Sequence, residues 1–355
     1  MCYSLQYCNP NRIFDRPVKL GGIVLKSDRL AICDQDEKYM EKLQQYLISR
    51  NSFPFSVSIY GNMGELQKEN AKKEFEVILA GESMFQNLAE KKFSGMIILL
   101  QDKGIMVSKA ERVIRKYQSA EIIRKKILEL YADWNGTVKV HGIAQKDSSL
   151  IGVYSPLGRC IQTSFSLLLG QFLAKKQKVL YLNFEPFSGL SGLLGREEEN
   201  DLTDLVYYLS NGNERFLYKL ESMVSNVNGL NYVAPAYSYM DIAAVKSEDW
   251  LLLIQSLKEC TDYDVIILDL SELVQGLPDV LRECSYIYTL NRTDGVACHK
   301  MKEYEDLLER QEYQDIISKT KKLEFPIFKS LPATLEEMSY GELADYVRKI
   351  AAASA

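Results

Sequence analysis

IGVYSPLGRCIQTSFSLLLGQFLAKKQKVLYLNFE, residues Ile151–Glu185, is the stretch that decides the fold. Leu150–Tyr154 is an apolar strand, and Ser155–Gln162 is a tight polar turn. Thr163 to about Lys175 has the length and composition of a helix, and Val179–Phe184 is a second apolar strand. Strand, turn, helix and strand make a βαβ unit, whose turn offers backbone N–H groups to an anion. The turn stands where a phosphate-binding loop would stand, yet it lacks the lysine and most of the glycines that such a loop uses.

Working outward, 355 residues fit two domains better than one core. Hydrophobic residues make up 46% and charged residues 26%, as in ordinary globular proteins. The net charge of −5 argues against a general nucleic-acid or anionic-membrane binder. No apolar run is long enough to span a bilayer, and the N-terminus has no signal-peptide h-region. Seven cysteines without C-x-x-C pairs suit a reducing cytoplasm better than a disulfide framework or a zinc site. With only His141 and His299 available, a histidine-based metal site or nucleophile–histidine dyad is not expected.

Residues 1–24 form an arm without clear periodicity. From 25 to 134, strands (Arg29–Cys33, Phe53–Tyr60, Phe75–Ala80, Gly95–Leu100) alternate with helices (Asp36–Ser49, Gly61–Asn70, Ser119–Trp134). That alternation predicts a small α/β domain with a parallel sheet. Residues 135–149, with Gly136 and Gly142, read as a linker. From 150 to 355 the alternation resumes. The apolar run YDVIILDL (Tyr263–Leu270) is its most buried-looking strand, Pro326–Leu331 its expected last strand and Leu335–Ala353 its closing helix. Helices on both faces of a mostly parallel sheet are expected.

In the first domain, AICDQDE (Ala31–Glu37) follows the first strand and KYQSAEII (Lys116–Ile123) leads into the last helix. Both resemble features of response-regulator receiver domains, which implies a flavodoxin-like α/β sandwich. Where a receiver carries its phosphoacceptor aspartate, the string FEVILAGES has Ala80 and Gly81, neither of which is a nucleophile. Asp34 and Asp36 remain as a cation site or as a solvated loop and helix cap. The domain therefore resembles a pseudo-receiver.

The second domain resembles the MinD/ParA family of P-loop ATPases, whose loop reads S-x-K-G-G-x-G-K-T. Ser155 matches the family serine, Gly158 the first glycine of the pair and Thr163 the magnesium-binding hydroxyl. Leu157 replaces the signature lysine, Arg159 the second glycine, Ile161 the last glycine and Gln162 the P-loop lysine. A glutamine hydrogen-bonds but does not neutralise phosphate charge, and a branched residue opposes the glycine backbone of the nest. Arg159 offers a replacement cation or is a surface residue on an inert loop. The D-x-D that ends the family's second strand is Asn183-Phe184-Glu185, and Asp269 stands at the magnesium-acid position. The resemblance thus implies a degenerate ATP site of Ser155, Gly158, Arg159, Gln162, Thr163, Asn183, Glu185 and Asp269, with Mg2+ at Thr163 and Asp269 only if nucleotide binds.

A receiver-like domain fused to a MinD/ParA-like one is the layout of the TadZ/CpaE proteins, and GLNYVAPA (Gly229–Ala236) and LEFPIFKSLP (Leu323–Pro332) are similar to that group. The resemblance implies a cytoplasmic homodimer, open to recruitment to the pole or the inner membrane face, that localises Tad-type pilus or secretion machinery through protein partners rather than nucleic acid. The alternatives are a slow ATP-binding dimerisation switch and a signalling adaptor acting through the receiver-like half. Efficient ATP hydrolysis is not expected, because both lysines are missing.

Overall fold

The computed structural model describes residues 28–49, 53–89, 93–102, 111–134, 148–158, 161–195, 198–212 and 215–354. The expected arm (1–24), residues 135–147 of the expected linker, and Arg159 lie outside the described residues.

The described residues build two sheets. The first collects β1 (Asp28–Cys33), β2 (Phe55–Tyr60), β3 (Val77–Gly81), β4 (Met96–Gln101) and β5 (Val113–Arg115) in the order β2-β1-β3-β4-β5. Every pairing in it is parallel. The connecting helices are α1 (Glu37–Ser49), α2 (Met63–Lys72), α3 (Glu82–Ala89) and α4 (Ala120–Ala132). This is the flavodoxin-like doubly wound order, whose crevice lies between β1 and β3 at the carboxyl ends of the strands.

The second sheet has seven strands: β6 (Ser149–Val153), β7 (Val179–Asn183), β8 (Ser225–Val227), β9 (Leu230–Tyr232), β10 (Val265–Asp269), β11 (Tyr286–Asn291) and β12 (Thr320–Glu324). Their order is β12-β11-β6-β10-β7-β9-β8. All pairings are parallel except β8 with β9. β7 and β10 are buried along their whole length, which explains their near-continuous apolar sequence. The chain runs from β6 through α5 (Gln162–Leu173) to β7 on one side, then later crosses from β10 to β11 on the other. That reversal at β6 opens a crevice at the carboxyl ends of β6, β7 and β10.

The ends of the chain's later half depart from expectation. Pro326–Leu331 is not a strand; the last strand is β12, and α13 (Gln314–Lys319) precedes it. β12 is an edge strand with only Leu323 buried, so it carries TKKLE where a central strand would carry an apolar run. A five-residue helix, α6 (Leu190–Leu194), follows β7. The closing helix starts later than expected, at Gly341, after a 3-10 turn at Glu337–Ser339.

The two sheets meet through α4 and α8 (Phe216–Met223). Phe216, Leu220 and Met223 enter the core of the second sheet. Tyr218, on another side of α8, packs against the core of the first sheet, 5.5 Å from Phe55 and 4.8 Å from Tyr131 between ring centroids. Its hydroxyl donates to Asp28 at the start of β1. Arg124 of α4 donates to the Glu221 carbonyl at 3.2 Å, and Arg215 stacks its guanidinium 4.7 Å from the Tyr131 ring.

Candidate functional site

β6 delivers Ser155 and the turn, α5 delivers Gln162 and Thr163, β7 delivers Asn183 and Glu185, and β10 delivers Asp269. Register makes the convergence: Asp269 lies opposite Val153 on one neighbour and opposite Asn183 on the other. A cleft of about 290 Å3 results, lined by Ser155, Gly158, Ile161, Gln162, Thr163 and Glu185, with Ser164, Leu270 and Glu272 completing it.

Two described residues of the turn take left-handed backbone. Gly158 has φ 64°, and Ile161 has φ 60° and ψ 25°. Left-handed backbone is strained for a branched side chain, by about 1–3 kcal/mol. Ile161 holds the conformation because it packs against the buried cluster around Phe165 and Leu168. A branched residue thus takes a left-handed conformation here, contrary to the expectation from residue type alone. Ser155 donates its hydroxyl to the Leu290 carbonyl at 2.7 Å and accepts from the Leu157 amide.

Gln162 points inward. Its Nε2 donates to Asp269 Oδ1 at 2.7 Å and to the Leu270 carbonyl at 2.8 Å. It also lies within 3.3 Å of the Val153 carbonyl and 3.2 Å of Glu185 Oε1. An amide has two N–H groups, so these acceptors consume it fully. Asp269 is wholly buried, and its other oxygen accepts from Tyr181 at 2.8 Å and Asn183 at 3.0 Å. Asn183 is also wholly buried and donates to Asp269 and Tyr181.

Burial pushes the Asp269 carboxyl up, while Gln162, Tyr181, Thr163 and Ser166 favour its charged form. Burial also pushes Glu185 up to about 7, reinforced by the charges of Asp269 and Glu272. Tyr181, Ser166 and Glu272 were not singled out from the sequence. Periodicity offered a signal for the first two: Tyr181 shares a strand face with Asn183, and Ser166 lies one helical turn beyond Gln162.

ATP with magnesium fits the described residues poorly. Two carboxylates and no cation line the cleft among the described residues. Gln162 is committed to the protein, and both oxygens of Asp269 are already occupied. Among the described residues, no group of three or more His, Cys, Asp or Glu is placed to hold a metal. No described helix is long and apolar enough to cross a membrane.

No protein-family model matches this sequence, and no curated protein matches it. Solved structures give three representative likenesses. A ParA family ATPase from Chlorobium tepidum TLS is 17% identical over 56% of this chain and 81% of its own, with TM-score 0.43. Cobyrinic acid a,c-diamide synthase from Mycobacterium smegmatis, with bound ATP analog and magnesium, is 15% identical over 58% and 94%, with TM-score 0.43. The MinD cell division protein of Aquifex aeolicus is 16% identical over 50% and 68%, with TM-score 0.39. All three likenesses are weak.

Proposed function

We propose that this chain is a non-hydrolysing localisation and assembly scaffold of the TadZ/CpaE type, serving a Tad-like pilus or secretion machinery as a homodimer. The carrying observation is the inward commitment of Gln162, whose amide bonds Asp269 and Leu270 where a phosphate-binding loop needs a free cation. Glu272 adds negative charge to the same cleft, and Glu185 adds more as it ionises around pH 7, which opposes a triphosphate. The receiver-like half, lacking a phosphoacceptor at Ala80-Gly81, serves as a mount rather than a phosphorylation switch. One observation favours a second reading, an ATP-gated dimerisation switch: Gly158 and Ile161 take the left-handed backbone that anion-binding nests use.

Complementation separates the two readings. In a strain lacking the gene, the Thr163→Ala chain should restore pilus or secretion assembly as well as the unaltered chain does. Loss of assembly with a normally folded Thr163→Ala chain favours the switch instead.

A further inference from the structure

The carboxyl ends of β1, β3 and β4 form a second crevice, lined by Asp34, Asp36, Glu82, Asp102, Lys116 and Tyr117 among others. Four carboxylates around one opening call for positive charge. Lys116 supplies it from within: its Nζ lies 2.9 Å from Asp34 Oδ2, 3.0 Å from Asp34 Oδ1 and 3.4 Å from Asp102 Oδ1. Asp34 and Lys116 are both about 95% buried. The rings of Tyr39 and Tyr117 lie 5.0 and 5.6 Å from the ammonium, and the Tyr39 hydroxyl donates to the Lys116 carbonyl at 3.1 Å.

Gly81 closes the third side. A Cβ there would lie 2.3 Å from Asp34 Oδ2, so the Asp34 carboxylate occupies the space a side chain on the end of β3 would need. Asp36 is used locally and accepts from the Tyr39 amide at 3.0 Å at the start of α1. Lys116 lies three residues before the Ser119 cap of α4, and α4 carries Arg124 to Glu221. The segment that enters α4 is therefore held by the ion pair, and the helix itself is held to α8 of the second unit.

We infer that Lys116 is a built-in counter-ion that replaces a bound cation in this crevice, holds the first sheet's unit in one fixed state, and thereby sets α4 against α8. In this role Lys116 is a positioning residue. The inference stands independently of the scaffold reading, because it concerns a different crevice.

The test uses the full chain. Millimolar Mg2+ should leave the melting temperature of the unaltered protein unchanged. Lys116→Met should lower it by several degrees, Mg2+ should then recover part of that loss, and amide exchange should quicken in residues 216–223. Lys116→Met combined with Asp34→Asn removes both charges and should melt above Lys116→Met without Mg2+. If Lys116→Met does not fold, recovery of folded protein in the double variant carries the same support. A Mg2+ shift in the unaltered protein overturns the inference. So does a Lys116→Met chain whose melting and α8 exchange are unaltered, or a double variant no more stable than Lys116→Met.

Discussion

Nε2 of Gln162 lies 2.7 Å from Oδ1 of Asp269, joining the first turn of α5 to the end of β10 in a fully buried contact. The bond gives Gln162 a structural place at the wall of the cleft. Asp269 has a donor on each oxygen, and Gln162 has no N–H left for a ligand.

Gln162→Ala should therefore act as a stability mutation. It leaves Asp269 Oδ1 buried without its amide donor, at a cost of about 1–3 kcal/mol. Denaturant titration checks this. An unchanged midpoint would mean that Gln162 is dispensable to the fold.

Stability should fall as pH rises through the Glu185 titration. Its folded pKa, about 7, lies above the ordinary carboxylate value, so the folded state holds the proton more tightly than the unfolded chain does. The contribution is fully favourable below the unfolded value of about 4.5 and is lost between there and about 7. Asp269, also shifted upward by burial, acts in the same direction. Glu185→Gln should flatten this part of the profile and melt higher than the unaltered chain above pH 7. Melting curves from pH 5 to 8 provide the check.

Ile161→Gly deletes a partly buried side chain but releases a left-handed branched residue. The two effects oppose, so its stability should stay within about 1 kcal/mol of the unaltered chain. A much larger loss would show that packing outweighs backbone strain at this turn.

Tyr218→Ala should destabilise both sheets together. Tyr218 fills a pocket between Phe55 and Tyr131 while its helix belongs to the other core, so truncation should cost about 3–5 kcal/mol. Calorimetry should show one transition before and after the change. Two separated transitions in the unaltered chain would mean that the halves fold independently.

Much of the fold was legible because buried parallel strands advertise themselves. VILAG, MIILLQ and VIILD are continuous apolar runs, and each is a central strand. The edges were harder. β5 has three residues, and β12 reads TKKLE because solvent covers most of it. The β8–β9 hairpin carried a usable signal: Asn228-Gly229 takes φ 50° and 90°, the two positive values of a type I′ turn. Ser155, Gly158, Gln162, Thr163 and Glu185, named from motif order, line one cleft, but motif order did not give the direction of Gln162, which depends on the register of β10 between β6 and β7. The meeting of Tyr218 with Asp28 joins residues 190 positions apart and leaves no periodic trace.

Calorimetric titration of the full chain with ATP and Mg2+ tests the central claim most directly. A cleft closed by Gln162 and lined by Glu185 and Glu272 predicts no binding heat and no melting shift at millimolar ATP. Saturable binding that stabilises the chain by about 2.7 kcal/mol at a hundredfold excess over Kd, and that disappears in Thr163→Ala, would contradict it.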